Sequence, residues 1–324
     1  MPLDKPEQNN RGAREMTRKF QLLVDGASDL DATASHAISM AEHLDAKLVA
    51  TEIRNTRWFD SSRKTEAARH LFQDRLSRIS DLAADHGVEI ADVRQKASTD
   101  QPKDIMKIAR NINPNMLITG TRGATTGQGL SDRAAGLLNI SKYNLLMVKD
   151  LDHDTGEYKK ILVSADSPVN IAQCAAKVAD GYDAELTAVQ VVDLEEGLVT
   201  ERVVYLPEAA ASSGTGRQRR RLGETVKTSD TLLDKMKENR LERGRALADS
   251  IADIARDRGV AASSQVLVGK QSDELARLTR QQRFDLLVMG SKDESVLKRL
   301  MRKTAPETIA RKVHSSVLAV KKVA

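Results

Sequence analysis

The chain has 324 residues, of which 30% are charged and 3% aromatic, with a formal net charge of +5 at pH 7. A single cysteine, Cys174, excludes an intrachain disulfide, and the sequence lacks the ~20-residue apolar stretch that a membrane span requires. This length favours two domains with aliphatic cores, in a protein that we expect to be cytoplasmic and able to accept anionic partners.

Residues 1–17 are polar and show no hydrophobic period, so we predict a disordered arm there. Residues 18–150 then alternate short apolar runs with helical patterns, as expected of a first α/β domain. The predicted strands are Phe20–Val24, Leu48–Ile53, Val88–Gln95, Met116–Thr119 and Leu145–Val148, and the predicted helices are Ala32–Leu44, Arg63–His86, Asp100–Asn111 and Ser131–Ile140. Because the runs are apolar throughout, they indicate a parallel sheet covered on both faces.

Residues 158–324 repeat this plan as a second domain. The run KILVSAD at residues 160–166 corresponds to KFQLLVD at residues 19–25, and each leads into a helical pattern. The predicted strands are Ile161–Val163, Leu186–Val192, Val266–Val268, Leu286–Met289 and Val317–Val320, and the later predicted helices are Thr231–Arg258, Ser272–Gln282 and Pro306–Val313. The repeat predicts two tandem, doubly wound α/β domains with parallel sheets.

The two halves differ by one insertion. Asp25 and Asp166 are 141 positions apart, whereas Gly120 and Gly290 are 170 apart, so the second half carries 29 extra residues. They fall at about 195–230, which we predict to be a long flexible loop with a basic run at 217–221. This run lacks interleaved aromatic residues for base stacking, so we predict no nucleic-acid partner.

Candidate binding residues lie where the predicted strands end. In an open parallel sheet, ligands bind beyond the carboxyl ends of the strands, at the switch in strand order. Asp25 and Asp166 end the first strand of each half, and Gly120 and Gly290 end the fourth. A glycine there lets backbone N–H groups approach a phosphate. The alternative is that these glycines only form turns from strand to loop, and spacing alone does not distinguish the two.

At these residues the chain resembles the universal stress protein family, in its tandem two-domain form, over about 18–149 and 158–322. The resemblance implies two Rossmann-like, five-stranded domains of the adenine nucleotide alpha hydrolase-like type, and a protein that is not an enzyme. It also implies binding of ATP, with Mg only alongside ATP. An aspartate ending strand 1 and a glycine motif after strand 4 would hold the nucleotide. That motif is Gly, two residues, Gly, nine residues, Gly, then Ser or Thr.

The family's aspartate falls on Asp25 and Asp166, where it would hold the adenosine end of the nucleotide. The family's backbone contact at the end of strand 2 falls near Ile53 and Val191. These four positions are therefore the adenosine-side residues that the resemblance implies.

The phosphate motif of the first half begins as Gly120-Thr-Arg-Gly123, with Arg122 between the two glycines. The third glycine position falls on Arg133. A small insertion in the alignment would bring Gly136 there instead, and a gapless count back from the final strand would bring Ser131. These alignments remain alternatives.

The motif of the second half aligns without a gap but departs in its chemistry. Gly290 and Ser291 are kept and Thr304 preserves the hydroxyl, whereas Asp293 and Lys303 replace the second and third glycines. A carboxylate ~4 Å from a phosphate charge costs roughly 1–4 kcal/mol at effective dielectric constants of 80 to 20. We therefore expect a degenerate second site.

These patterns predict a stress-response regulatory module that binds an adenine nucleotide or another small anion in its first half. The alternative is a nucleotide-free interaction scaffold, with both pockets decayed and an unknown protein partner. The closing strands Leu145–Val148 and Val317–Val320 are each followed by a lysine, and we expect them to pair as the family's dimers do. The two halves of one chain would then form an intramolecular pseudo-dimer. The sequence does not determine whether two such chains also form a homodimer.

Overall fold

A computed structural model of the chain describes residues 18–24, 30–55, 62–98, 101–121, 130–149, 156–165, 169–194, 216–291 and 305–321. The strands are β1 Arg18–Val24, β2 Ala46–Asn55, β3 Ile90–Ser98, β4 Met116–Gly120, β5 Asn144–Val148, β6 Lys160–Ser164, β7 Glu185–Val192, β8 Ala262–Val268, β9 Leu286–Gly290 and β10 Ser316–Val320. The helices are α1 Leu30–His43, α2 Ser62–Asp85, α3 Gln101–Ile112, α4 Asp132–Ile140, α5 Val169–Gly181, α6 Gly216–Arg256, α7 Gln271–Gln281 and α8 Ala305–Lys312.

The apolar runs form the predicted strands because both faces of the sheet are covered by helices. All five residues of β4 and of β10 are buried. The covering helices are amphipathic, and α1 buries Ala34, Ala37, Ile38 and Ala41 at the three- and four-residue steps of a helical face. The prediction of an α/β fold with parallel sheets is confirmed.

The ten strands form one hydrogen-bonded sheet in the order β3-β2-β1-β4-β5-β10-β9-β6-β7-β8. Within each half the strands run parallel, and between β5 and β10 the direction reverses, with Leu146 opposite Leu318. The sheet is therefore continuous but consists of two five-stranded parallel halves. The predicted pairing of the closing strands is confirmed.

Each face of the sheet carries one apolar core that both halves share. One core joins Phe20 and Leu48 of the first half to Ile161 and Leu186 of the second. The core on the other face joins Leu117 of the first half to residues such as Leu287 of the second. Because neither core stops at the junction, the two halves are packed as a single body.

Reciprocal hydrogen bonds fasten the β5–β10 junction at both ends. The backbone N–H of Lys149, after β5, donates to Ser316 Oγ at 3.1 Å, and that of Lys321, after β10, donates to Asn144 Oδ1 at 3.0 Å. The ammonium group of Lys321 donates to Leu138 O at 2.9 Å, and that of Lys149 donates to Val313 O. The lysine that ends each half thus binds the last helix of the other.

A buried polar cluster joins α1 to the second half on one face of the sheet. His36 Nδ1 lies 2.7 Å from the hydroxyl of Tyr158, and Ser39 Oγ lies 3.1 Å from the hydroxyl of Tyr182. The ring of Tyr182 also stacks on His43 at a centroid distance of 4.0 Å. Both tyrosines are at most 2% exposed, so the cluster belongs to the interior.

One predicted element is corrected by the structure. We expected a loop up to residue 230 and a helix from Thr231, but α6 begins at Gly216 and runs for 41 residues. The basic run at 217–221 therefore lies in a helix, and the prediction of a loop there was wrong. The predicted arm at 1–17 and the insertion segment 195–215 lie outside the described residues.

Candidate functional site

The switch in strand order of the first half lies between β1 and β4. The chain proceeds from β1 to β2 and β3 on one side, and it returns to the other side of β1 with β4 and β5. The strand register places Val24 beside Glu52, and Gly120 beside Val148. The carboxyl ends of four parallel strands therefore meet at one edge, where an open α/β sheet binds its ligands.

Gly120 lies where α1 approaches this edge most closely. A β-carbon added to Gly120 would lie 2.9 Å from Thr33 Oγ1, in the first turn of α1. Thr33 is 3% exposed, so its hydroxyl has little room to move away. A glycine is required here because the first turn of α1 packs directly on the end of β4.

The first turn of α4 is tied to the same strand end. Thr121, directly after β4, donates its N–H to Val148 O at 2.9 Å and accepts the N–H of Ser131 at 2.8 Å. Ser131 is the N-cap of α4, and its hydroxyl accepts from Ala134 N at 3.3 Å. The N-terminus of α4, with backbone N–H groups that have no helical acceptor, therefore lies beside the end of β4.

The alternatives for the third motif position now have places in the fold. Ser131 lies at the N-terminus of α4, whereas Gly136 lies inside that helix. A β-carbon on Gly136 would lie 2.8 Å from Pro102 Cγ, so the glycine permits α4 to pack on α3. Ser131 is the position of the two whose surroundings suit a phosphate.

At the second strand of each half, the predicted adenosine-side residues lie near glutamines. Ile53 is 8% exposed, and its carbonyl accepts from Gln101 Nε2 at 3.3 Å. Val191 is also 8% exposed, and its carbonyl accepts from Gln190 Nε2 at 3.2 Å. A carbonyl oxygen has two lone pairs, so Ile53 can still accept a donor from a ligand.

Gln101 was missed by sequence reasoning, although a signal was present. Gln101 begins α3, and Gln271 begins α7 at the equivalent place in the second half, where Nε2 donates to Ser164 Oγ at 3.2 Å. The two glutamines are 170 positions apart, the same offset that relates Gly120 and Gly290. Glu52, a carboxylate that is 7% exposed beside the end of β1, was also missed.

Two arginines lie at the N-terminus of α4, and a lysine follows the neighbouring strand β5. Arg133 lies in its first turn, and burial lowers the pKa of this guanidinium to about 10. Arg311 Nη1 donates to Leu130 O at 3.0 Å, directly before the N-cap. Lys149 follows Val148, and burial lowers the pKa of its ammonium group to about 8. The guanidinium of Arg133 and the ammonium group of Lys149 are mostly protonated at neutral pH, so both carry positive charge at this edge of the sheet.

The second half repeats the backbone arrangement at its own strand end. Ser291, directly after β9, donates its N–H to Val320 O at 3.1 Å, as Thr121 does to Val148. Its side chain is 7% exposed, and among the described residues its hydroxyl has no hydrogen-bond partner. Gly290 is the last residue of β9 and is partly exposed.

Five predicted site residues lie outside the described part of the chain, namely Asp25, Arg122, Gly123, Asp166 and Thr304. Of the remaining first-half positions, Gly120 lies at the end of β4 and Ile53 near the end of β2, at the same edge of the sheet, whereas Gly136 lies inside α4. The roles proposed for all these residues stay predictions.

An open groove lies between α1 and α2. It has a volume of about 370 Å³ and is lined by one turn of each helix, including Ala34, Ile79 and Leu82. Arg78 and Asp31, both well exposed, form an ion pair and belong to its lining. None of the predicted site residues within the described part of the chain lines this groove.

The described residues hold no cluster of three metal-ligating side chains and no helix long and apolar enough to cross a membrane. Cys174 packs against the core, and burial raises the pKa of its thiol to about 11. A thiol with so high a pKa is a poor nucleophile at neutral pH.

Comparison with known proteins agrees with this architecture. A protein of Staphylococcus aureus (strain USA300) whose name describes it as a universal stress protein is 28% identical to this chain over 113 residues. The match covers 33% of this chain and 67% of that protein. The structure of a universal stress protein from Archaeoglobus fulgidus DSM 4304 has a TM-score of 0.60 at 13% identity, with 94% of this chain and 96% of that chain covered. A protein of unknown function from Pseudomonas aeruginosa PAO1 has a TM-score of 0.59 at 13% identity, with 94% and 93% covered.

At such identities the two structures show a shared fold only. The sequence profile described as "Universal stress protein family" matches residues 16–149 and again residues 157–321. Together these segments span most of the chain, one in each half of the sheet. The chain therefore belongs to the universal stress protein family and contains two family segments in tandem.

Proposed function

We propose that the chain is a non-catalytic regulatory protein that binds ATP at the strand ends of its first half. The observation that supports this most is the position of the α4 N-terminus. Ser131 is hydrogen-bonded to the residue after β4, at the switch in strand order. Arg133 lies in the first turn of the helix that Ser131 caps, and Arg311 donates to Leu130 O directly before it. A helix N-terminus beside cationic groups favours the phosphates of a nucleotide.

The adenosine end would lie toward β1 and β2. Asp25, which follows Val24 in the sequence, would bind the ribose or base, and the carbonyl of Ile53 would accept from the base. Gly120, Arg122 and Gly123 would then approach the phosphates by their backbone and charge. Mg would accompany ATP through the phosphate oxygens, since the described residues provide no metal cluster of their own.

The second half has equivalent residues in Asp166, Val191, Gly290, Ser291 and Thr304. Its site would be the weaker one because Asp293 places a carboxylate where the first half has Gly123. The repulsion between this carboxylate and a phosphate corresponds to a loss of affinity of about ten- to a thousandfold.

The proposal is tested by exchanging the residues at the second glycine position of the motif, which is Gly123 in the first half and Asp293 in the second. We expect the wild-type chain to bind ATP with one site by isothermal titration calorimetry. Gly123→Asp should weaken that site by about ten- to a thousandfold, and Asp293→Gly should strengthen the second site by a similar factor. Titration at constant Mg, and again without Mg, measures the contribution of the metal.

A charge control is Gly259→Asp, which adds the same charge at the glycine between α6 and β8, before the amino end of that strand. Its φ of +83° makes the substitution strained, so this variant should melt at a lower temperature than the wild type. It should bind ATP as the wild type does, provided that its melting temperature shows it to be folded. Absence of binding heat and of a melting shift for the wild type at millimolar ATP would disprove the proposed function.

A second candidate function is favoured by α6. This helix has 41 residues, against 24 in its counterpart α2, so the second half displays an additional helical segment. A nucleotide-free scaffold would use this segment and the preceding insertion to contact a protein partner. A chain lacking residues 195–230 should then lose its partners in a pull-down, and neither this chain nor the wild type should bind a nucleotide.

The remaining interpretations accompany this proposal. We place the domain limits at 18–150 and 158–324, and we expect a cytoplasmic protein. Both a single chain and a homodimer of two chains are consistent with this proposal. Size-exclusion chromatography with light scattering would determine whether two chains associate.

A further inference from the structure

The second half supplies a side chain to the candidate site of the first half. Arg311, in the last turn of α8, donates from Nη1 to Leu130 O at 3.0 Å. Its Nε and Nη2 atoms donate to Glu307 Oε1 at 3.1 and 2.8 Å, and Glu307 is one helical turn earlier on α8. The guanidinium is therefore held on its own helix while it binds a carbonyl of the other half.

This carbonyl belongs to the residue that introduces α4. Leu130 is 5% exposed and directly precedes the N-cap Ser131, whose N–H binds Thr121 O at 2.8 Å. Leu130 and Thr121 are the described residues on either side of segment 122–129, which carries the predicted phosphate motif. The contact from Arg311 thus lies at the first described residue after this segment.

The first half does not supply an equivalent arginine to the second half. Lys149 and Lys321 are equivalent and lie 172 positions apart, and the same offset places Asn139 opposite Arg311. Asparagine is neutral and shorter, so at this pair of positions only the second half provides a cation. This difference agrees with a stronger anion site in the first half than in the second.

We propose that Arg311 is a positioning residue for the phosphate end of the nucleotide site in the first half. This inference rests on the proposed function and adds that the second half completes that site. Arg311 holds Leu130 and the N-terminus of α4 in the geometry that receives the phosphates.

The test compares ligands with and without phosphates. Arg311→Gln should weaken ATP binding by about five- to tenfold and adenosine binding by less than about twofold, because only ATP reaches the N-terminus of α4. Arg311→Lys should recover part of the ATP affinity. The matched control is Arg277→Gln, since Arg277 pairs with Glu274 in the same manner at 2.6 Å, but on α7.

The inference would be overturned if Arg311→Gln weakened the binding of ATP and of adenosine equally, or weakened the binding of neither. If the wild type binds ATP and Arg311→Gln binds it equally well, the inference fails and the proposed function survives. If the wild type binds no nucleotide, both fail.

A second measurement addresses positioning without any ligand. Arg311→Gln should accelerate amide hydrogen exchange at Ser131, Ala134 and Ala135 by about five- to tenfold, because their hydrogen bonds depend on the placement of Ser131. Arg277→Gln should leave these amides unchanged. Exchange rates equal to those of the wild type in Arg311→Gln would show that Arg311 does not position this turn.

Discussion

The ammonium groups of Lys149 and Lys321 bind backbone carbonyls that are distant in the sequence. Each follows the last strand of one half, and each donates to a carbonyl at the C-terminal end of a helix in the other half. Carbonyls at a helix C-terminus lack helical donors and carry partial negative charge, so a cation there satisfies both needs. Burial opposes the charge and lowers the pKa of Lys149 to about 8.

We expect Lys149→Met to change stability in a pH-dependent way. The unfolded chain keeps the lysine proton up to a pKa of 10.5, whereas the folded chain releases it near 8. The folded state therefore carries a penalty that is complete below pH 8 and fades as the pH rises to 10.5. The free energy of unfolding of the wild type, relative to the variant, should rise over this window by at most about 3 kcal/mol.

Urea unfolding of both proteins at pH 7.5, 9 and 10.5 measures this difference, and titrations elsewhere cancel between them. Lys142→Met, at an exposed lysine, is the control. A difference that is constant across the three pH values, or that falls as the pH rises, would contradict the assignment.

The sequence showed both lysines as the ends of repeated apolar runs, but it did not show their function. Their carbonyl partners lie 164 and 183 residues away, and no local pattern encodes a contact at that distance. Arg311 was invisible for the same reason, since Leu130 is 181 residues away. The strand ends at Gly120 and Gly290 were predictable because they depend on short-range periodicity.

Among the elements, α1 and α5 come into close contact where the two halves meet. Gly181 ends α5, and a β-carbon there would lie 2.8 Å from the carbonyl oxygen of His43 and 3.1 Å from Leu44 Cδ2. The carbonyl belongs to the backbone of α1 and cannot rotate away. The missing side chain at Gly181 thus sets the separation of the two helices.

Gly181→Ala should therefore destabilise the protein by about 2 kcal/mol, because the added methyl group overpacks this contact. Denaturant unfolding measures the loss. The control Asp180→Ala changes the preceding, exposed residue and should alter stability by less than about 0.5 kcal/mol. A Gly181→Ala variant as stable as the wild type would show that α1 can shift without cost.

Helix starts were the least predictable property of the elements. The segment 209–221 contains Ala, Ser, Gly and Arg without an apolar period, and we interpreted it as a loop. Arginine, glutamine and leucine are nevertheless good helix formers, and α6 includes this basic run. Intrinsic propensity would have been a better guide here than hydrophobic pattern, because the sequence of this segment has no apolar period that could mark a helix.

At the scale of the whole molecule, shared cores predict that the halves unfold together. Each face of the sheet has one apolar cluster with residues from both halves, and β5–β10 pairing joins them through the backbone. The buried contacts of Tyr158 and Tyr182 with α1 add a polar link. We therefore expect one cooperative transition rather than two.

Cleavage between the halves tests this cohesion. A protease site inserted at residues 150–155 should yield two fragments that co-elute in size-exclusion chromatography and unfold in one transition. Separation of the fragments at micromolar concentration, or non-coincident transitions by circular dichroism and tyrosine fluorescence, would show that the halves are independent. The uncleaved insertion variant is the control.

The reversal of strand direction between β5 and β10 has an evolutionary consequence. In a one-segment relative that dimerised in this way, a single gene would encode both subunits. Every mutation in a binding site would therefore change both sites of the dimer. Fusion removes that symmetry, since each first half always meets one second half in fixed stoichiometry. Selection can then preserve one ligand site while the other drifts toward a supporting role, without competition from mismatched assemblies.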